Sequence, residues 1–284
     1  MKVLKLFFTL ITFSSLATDA CIWTKSSASF ESPFYESNDI EVCFARPSAS
    51  EKYGIENPTD DLYREEYQKA MNTIKQTLEN QINNRSSLNL INFGFCEGDS
   101  NPSAKRITFD LNSSEQIGAM SIVGPEAGLT NMTSISMGLV KDVVIDKENP
   151  SSVVLPSELR DFSDKSHLSF VALHETLHSL GFHHEPLWGS ENFDPNIKEV
   201  VEVGGSMDEQ SIMNNLGTKN YDENGLALLS ETDVQCLDLV ASKEILNLPS
   251  REIQRTQRVA PPTQAPTNGL LNSPSGTNLK TISQ

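Results

Sequence analysis

The sequence has 284 residues, of which 37% are hydrophobic and 21% are charged, so it can form a core and is not wholly disordered. Asp and Glu total 38 against 22 Lys and Arg, which gives a formal net charge of −16 at pH 7. A protein with this charge repels polyanions, so the composition argues against nucleic acid and anionic membranes as partners.

The N-terminus is typical of a secretory signal peptide: two lysines, a short apolar run over 6–13, and then small residues. The run is far shorter than the roughly 20 apolar residues that span a bilayer, so no membrane span is predicted. We assign 1–20 to the signal, with cleavage after Ala17 or Ala20, and 21–35 to a short N-terminal segment. The protein is therefore expected to be secreted or periplasmic, where disulfides form and persist.

The region 36–248 has the length of one domain, and the period of its apolar residues changes several times. Alternating apolar residues predict a first strand over 39–44, and helical spacing then predicts a long helix over 60–82. Runs rich in β-branched or apolar residues and bounded by Gly, Asn, Asp or Pro predict further strands. These strands cover 88–93, 106–111, 117–123 and 134–145.

Two more helices are predicted in this region. One begins near Ser166, a candidate N-cap, and stops at Gly181, whose tolerance of positive φ suits a C-terminal cap. The other covers about 231–244, with Ser230 as N-cap and Asp233 three residues later, close to the capping-box pattern. The order of these elements indicates a mixed α/β (α+β) fold.

The end of the sequence has a different composition. From residue 249 onward it is rich in proline and has almost no charge after Arg258, so 249–284 is predicted to be a disordered tail. The predicted organisation is therefore a signal peptide, a short segment, one domain over 36–248, and this tail.

Four of the five histidines lie in the string HETLHSLGFHH, which begins at residue 174 and has the spacing H-E-x-x-H-x-x-G-x-x-H. Residues four apart share one helix face, so His174 and His178 can bind one metal ion. A sharp turn at Gly181 allows His184 to supply a third nitrogen. Three imidazoles and an open position are typical of a catalytic zinc site, and Glu175 is placed to reach water there without being a ligand.

Two other histidines are alternatives. His183 could replace His184 as the third ligand, but the position of the turn at the helix end favours His184. His167 precedes His174 by seven residues, about two helical turns, and is interpreted as a polar residue near the helix start.

This segment resembles the zinc-binding consensus of the metzincin clan of metallopeptidases. The string Gln210-Ser211-Ile212-Met213-Asn214 is similar to the Met-turn of that clan, whose methionine, here Met213, lies beneath the metal. Its Ser-Ile-Met form resembles the astacins, whereas the residues around His174 resemble the matrixins equally well. The resemblance implies a zinc endopeptidase with one catalytic Zn²⁺, the ligands His174, His178 and His184, and Glu175 as general base.

The resemblance also implies an architecture. A twisted, mostly parallel sheet with an antiparallel edge strand and the zinc helix would occupy 36–184, and a smaller C-terminal subdomain with a helix would occupy 185–248. The active-site cleft would lie between them. In the family the edge strand before the zinc helix pairs with an extended substrate, and 117–123 is the candidate here. A protein or peptide substrate is therefore expected, and the enzyme is expected to be a monomer.

The sequence departs from the astacin pattern, because Asn215 stands where astacins place a metal-binding tyrosine. No tyrosine-assisted mechanism is therefore expected. Two other functions stay open. One is a zinc amidohydrolase acting on non-protein amide bonds, and the other is a catalytically silent secreted zinc-binding protein. An intact Glu175 argues against the silent protein, because a vestigial site has no use for the base.

The four cysteines allow three complete pairings. Cys43 and Cys96 fall on what resemble adjacent strands, so a disulfide between them is reasonable. For Cys21 we state the hypothesis that its thiolate occupies the open zinc position and keeps the enzyme latent. The alternatives are a disulfide between Cys21 and Cys236, a lipid-anchored Cys21, and removal of Cys21 with a longer signal.

Overall fold

The computed structural model describes 19–25, 38–48, 60–96, 106–112, 120–121, 132–143, 160–184, 199–203, 206–214 and 219–252. Contacts divide the chain into two units, Met1–Ile253 and Gln254–Gln284, and all described residues belong to the first. The predicted signal up to residue 18 and nearly all of the predicted tail lie outside the described residues, as does Asn215.

The described residues include three α-helices: α1 (Asp61–Leu78), α2 (Lys165–Ser179) and α3 (Glu231–Ala241). A π-helical segment, Glu79–Asn83, continues α1. A side-chain oxygen that accepts a backbone N–H caps each start. Asp60 caps α1, and Ser230 caps α3 in the predicted capping box. The prediction of Ser166 as the cap of α2 is wrong. The cap is Asp164, two residues before Ser166, and its side chain accepts the His167 N–H.

The strands are β1 (Asp19–Lys25), β2 (Asp39–Phe44), β3 (Asn89–Phe95), β4 (Arg106–Asp110), β5 (Met120–Ser121), β6 (Met132–Ser136), β7 (Val140–Val143), β8 (Arg160–Phe162), β9 (Glu199–Val203), β10 (Ser206–Met207) and β11 (Ser250–Glu252). The main sheet has the order β3-β2-β4-β6-β5. Its first four strands are parallel, and β5 is antiparallel to β6 at the edge. The mixed α/β class and the mostly parallel sheet with an antiparallel edge strand are therefore confirmed.

A second sheet has the order β10-β1-β9-β11, in which β9 is antiparallel to both of its neighbours. Two of its strands extend beyond the predicted domain boundaries. Asp19 and Ala20, assigned to the signal, pair with Ser206 and Met207. β11 lies at the start of the predicted tail and pairs with residues 199–201. None of the helices in the described part of the chain is long and apolar enough to cross a membrane.

The core lies between the central strands of the main sheet and the helices α1 and α2, which pack against each other. Phe44 and Phe109 stack on adjacent strands, with ring centroids 5.6 Å apart. The Thr77 hydroxyl of α1 donates to the Ser169 hydroxyl of α2 at 3.0 Å. This packing fixes the position of α2 relative to the sheet, and α2 carries the predicted metal ligands.

Two disulfides link these elements. Cys43 bonds to Cys96, which joins β2 to the residue after β3 and confirms the predicted pairing. Cys21 bonds to Cys236, which joins β1 to α3. The hypothesis that the Cys21 thiolate occupies the zinc position is therefore wrong, because its sulfur is already bonded. Cys21 is buried, and the 21–35 segment thus begins inside the fold.

Candidate metal centre

Helix α2 places two histidines on one face in the interior of the protein. Every residue from Val171 to Leu180 is buried, so polar side chains there need partners inside the fold. His174 and His178 are one helical turn apart, and their ring centroids are 4.7 Å apart. The helical period therefore places these two imidazoles side by side.

The third histidine is delivered by the turn that ends α2. Gly181 has φ +96°, a left-handed conformation that side chains disfavour. The Gly181 N–H donates to the carbonyl of His178 at 2.8 Å, and the Phe182 N–H donates to that of Leu177 at 3.0 Å. These two bonds form a Schellman motif, which reverses the chain direction. His184 then points back, with its Nε2 2.9 Å from the His174 Nε2.

The other ring nitrogens show which way the imidazoles are oriented. His174 Nδ1 lies 2.9 Å from the carbonyl oxygen of Ile212, and His178 Nδ1 lies 2.8 Å from that of Phe182. A carbonyl oxygen only accepts, so both Nδ1 atoms carry the proton and both Nε2 atoms present lone pairs. His184 Nε2 lies 2.9 and 3.0 Å from these two atoms and can donate to only one.

A cation held between the rings would satisfy these converging nitrogen lone pairs. One nitrogen from each of His174, His178 and His184 lies within 4.8 Å of the others, a group that can hold a metal ion. Burial lowers the pKa of His174 to about 4 and also lowers the pKa of His178 and His184. The three imidazoles are therefore neutral near pH 7, as metal ligands must be. Three neutral imidazoles and no thiolate fit a catalytic zinc position.

The predicted Met-turn lies directly against His174, the first of the predicted ligands. Its Ile212 carbonyl is the acceptor for His174 Nδ1, and Met213 is buried in the core. The turn is held by Asp233 of α3, whose carboxylate accepts the Ser211 hydroxyl at 2.7 Å and the Ile212 N–H at 3.0 Å. Sequence spacing predicts Asp233 only as part of the helix cap, because it does not indicate a contact with Ile212, 21 residues away.

Glu175, the predicted base, follows His174 on α2 and is 8% exposed. Two residues on the His174 side of the site carry no sequence signal. The Phe170 ring stacks on His174 at a centroid distance of 5.6 Å, and the Lys219 ammonium lies 3.8 Å from the Phe170 centroid. The pKa of His174 is lowered first by burial, then by His184, and last by this Lys219 cation.

The two alternative histidines are not part of the group. His167 lies exposed in the first turn of α2, as interpreted from the sequence, and its backbone N–H donates to the side chain of the helix cap Asp164. His183 is buried, and its backbone N–H donates to the carbonyl of Ile22 in β1 at 2.9 Å. The nitrogen geometry therefore favours His184 over His183 as the third ligand.

Comparisons with known proteins add little to this geometry. No protein-family model and no curated protein sequence matches the chain. The crystal structure of myroilysin aligns with 77% of this chain and 88% of its own, at 17% identity and a TM-score of 0.36. The GM1-bound form of the ECX AB5 holotoxin aligns with 78% of this chain and 88% of its own, at 14% identity and a TM-score of 0.39.

A TM-score below 0.5 does not establish a shared fold, so neither alignment decides the family or the function. The class of protein is defined by its own elements: a mixed α/β fold in which a buried helix and the turn after it bring three histidine nitrogens together.

Proposed function

We propose that this chain is a secreted, zinc-dependent endopeptidase of the metzincin kind. The observation that carries the proposal is the convergence of three Nε2 atoms, two of them turned toward the common centre by carbonyls that accept from Nδ1. The Met-turn against His174 and the H-E-x-x-H-x-x-G-x-x-H string support the same assignment. Zinc is the proposed ion, with His174, His178 and His184 as ligands.

The reaction proposed is hydrolysis of a peptide bond. When bound, zinc supplies Lewis acidity, which polarises the scissile carbonyl and allows water to lose a proton near neutral pH. Glu175 accepts that proton on its carboxylate and then donates it to the leaving amine. The Ile212 and Phe182 carbonyls keep two imidazoles in the tautomer that leaves Nε2 unprotonated. Burial keeps all three rings neutral.

A peptide substrate is proposed because the edge of the main sheet lies beside the histidine helix. β5 is the last strand of the sheet order and pairs only with β6 among the described strands. Both strands pack against α2. An extended peptide that adds to such an edge is recognised through hydrogen bonds to its backbone. The predicted substrate-pairing segment, 117–123, includes β5. The enzyme is proposed to act as a monomer.

The substitution Glu175→Gln tests the mechanism, because it removes the base and leaves the three histidines in place. We expect unchanged zinc content by elemental analysis and a casein cleavage rate at least about 100-fold lower than wild type. Glu65→Gln, an exposed glutamate of α1, is the matched control and should cleave casein normally. In the wild type, a chelator should abolish cleavage and added zinc should restore it.

The same assay separates the alternatives. A zinc-loaded wild type that hydrolyses non-protein amides and leaves casein and peptides intact would support the amidohydrolase. A zinc-loaded wild type with no hydrolysis would support the silent binding protein. Full casein cleavage by the Glu175→Gln variant at wild-type zinc content would remove Glu175 from the mechanism.

A further inference from the structure

Strand β1 contacts the turn that carries the third histidine. The Trp23 indole N–H donates to the carbonyl of Leu180, the last residue before Gly181, at 2.9 Å. Trp23 also forms an antiparallel bridge with Phe182, and the Ile22 carbonyl accepts the His183 N–H at 2.9 Å. The N-terminal segment therefore holds the backbone on both sides of the reversal.

These contacts act on two of the three proposed ligands. The residue bridged by Trp23 is Phe182, and its carbonyl is the acceptor that orients His178 through Nδ1. The residue bonded to Ile22 is His183, which directly precedes His184. A displacement of β1 would therefore move the acceptor for one imidazole and the backbone attachment of another.

The fit between β1 and the turn is close. Trp23 is 1% exposed, and a Cβ added at Gly181 would lie 2.7 Å from its indole nitrogen. Only a glycine allows the indole to reach the Leu180 carbonyl at this position. The hydrogen bond also satisfies one of the carbonyls that a helix leaves without an intrahelical partner at its C-terminus.

Helix α3 anchors both supports of the site. Cys236 of α3 is bonded to Cys21, two residues before Trp23. Asp233 of the same helix holds the Ile212 N–H of the Met-turn. The first imidazole is oriented through the Met-turn, and the second through β1, so α3 connects the two.

We propose that Trp23 is a positioning residue of the metal centre and that the Cys21–Cys236 disulfide holds it in place. Strand β1 thus supports the turn that carries His184, a role different from the predicted contact between the Cys21 thiolate and zinc. The inference rests on the metal-binding part of the proposed function. It concerns metal affinity and ligand geometry, and it makes no claim about the hydrolytic step.

The test is the substitution Trp23→Phe in the full chain, which keeps an aromatic ring and removes the donor N–H. Zinc affinity is measured by competition with a chromogenic chelator, and ligand geometry by the visible absorption of the Co²⁺ form. We expect zinc affinity to fall by about 10- to 100-fold, with a changed Co²⁺ spectrum. Tyr67→Phe is the matched control, since it loses a buried hydroxyl donor to the Ala45 carbonyl in the main domain core. Its affinity and spectrum should match wild type.

A second pair of variants tests the disulfide independently of the indole. Cys21→Ser with Cys236→Ser should weaken zinc binding, whereas Cys43→Ser with Cys96→Ser should leave it within about twofold, although both lose one cross-link. An equal loss in both pairs would overturn the specific role of Cys21–Cys236. Wild-type affinity and spectrum in Trp23→Phe would overturn the positioning role while leaving the proposed function intact. A wild type that binds no zinc would overturn both.

Discussion

At the residue scale, Asp233 carries several buried contacts at once. It is 3% exposed, and its carboxylate accepts the Ser211 hydroxyl and the N–H groups of Ile212 and Ser230. Burial raises the pKa of Asp233, and the donors that surround the carboxylate oppose that shift. Because one side chain satisfies two buried backbone N–H groups, its removal leaves both without a partner.

The substitution Asp233→Ala should therefore lower the free energy of unfolding by about 3 kcal/mol, since each orphaned N–H costs about 1–3 kcal/mol. Urea denaturation of the purified chain measures this change. Asp238→Ala on the same helix is the control, because the one hydrogen bond that its side chain makes among the described residues is an exposed one, from the Ser87 N–H. The control should lose less than about 1 kcal/mol. Equal losses in the two variants would show that the Met-turn contact contributes nothing.

At the element scale, the turn after α2 combines a local signal with a long-range fit. The Schellman bonds require a left-handed residue at position 181, and this requirement follows from the backbone alone. The indole of Trp23 then occupies the space where a side chain at 181 would lie. Glycine is therefore required for two separate reasons, of which the sequence shows only the first.

Gly181→Ala should destabilise the protein by about 3 kcal/mol, because it adds left-handed strain and an overlap with Trp23. Gly94→Ala in β3 is the control, since an added Cβ there meets nothing within 4 Å. Its effect should be below about 1 kcal/mol. The comparison uses urea midpoints of the two variants under the same conditions. A Gly181→Ala protein as stable as the Gly94→Ala protein would contradict this account of the turn.

At the scale of the whole molecule, the second sheet joins distant parts of the chain. β9 lies between β1 from the N-terminal segment and β11 from the start of the predicted tail. Both neighbours pair with it through backbone hydrogen bonds. The folded unit therefore extends to about residue 252, beyond the predicted boundary at 248.

A chain ending at Ile253 should keep the thermal midpoint of the full protein, whereas one ending at Leu248 should lose the β11 pairing. We expect the shorter chain to be less stable by about 1 kcal/mol, a shift of about 2–4 °C in Tm. Thermal unfolding followed by circular dichroism compares the two truncations with the full chain. A midpoint for the Leu248 truncation equal to the full chain would show that β11 adds no stability.

Local features of the site and of several elements could be predicted from the sequence. The 3.6-residue period aligns His174 with His178, and Gly181 marks the turn that brings back His184. The cap of α3 at Ser230 is also a local feature, because Ser230 and its capping-box partner Asp233 are only three residues apart. The start of α2 was misplaced because Asp164 and Ser166 are both good caps, and only the folded backbone selects between them.

The long-range contacts that hold the histidines and the turn after α2 depend on tertiary structure alone. The acceptor for His174 is 38 residues away at Ile212, and the indole that bonds Leu180 is 157 residues away at Trp23. Sequence spacing encodes geometry only within a helix, strand or turn, where the backbone has few conformations. Which distant carbonyl, indole or cysteine meets a given helix depends on how the sheets and helices pack. For this reason the sequence suggests a contact between Cys21 and zinc, whereas the fold bonds Cys21 to Cys236 and places Trp23 against the turn after α2.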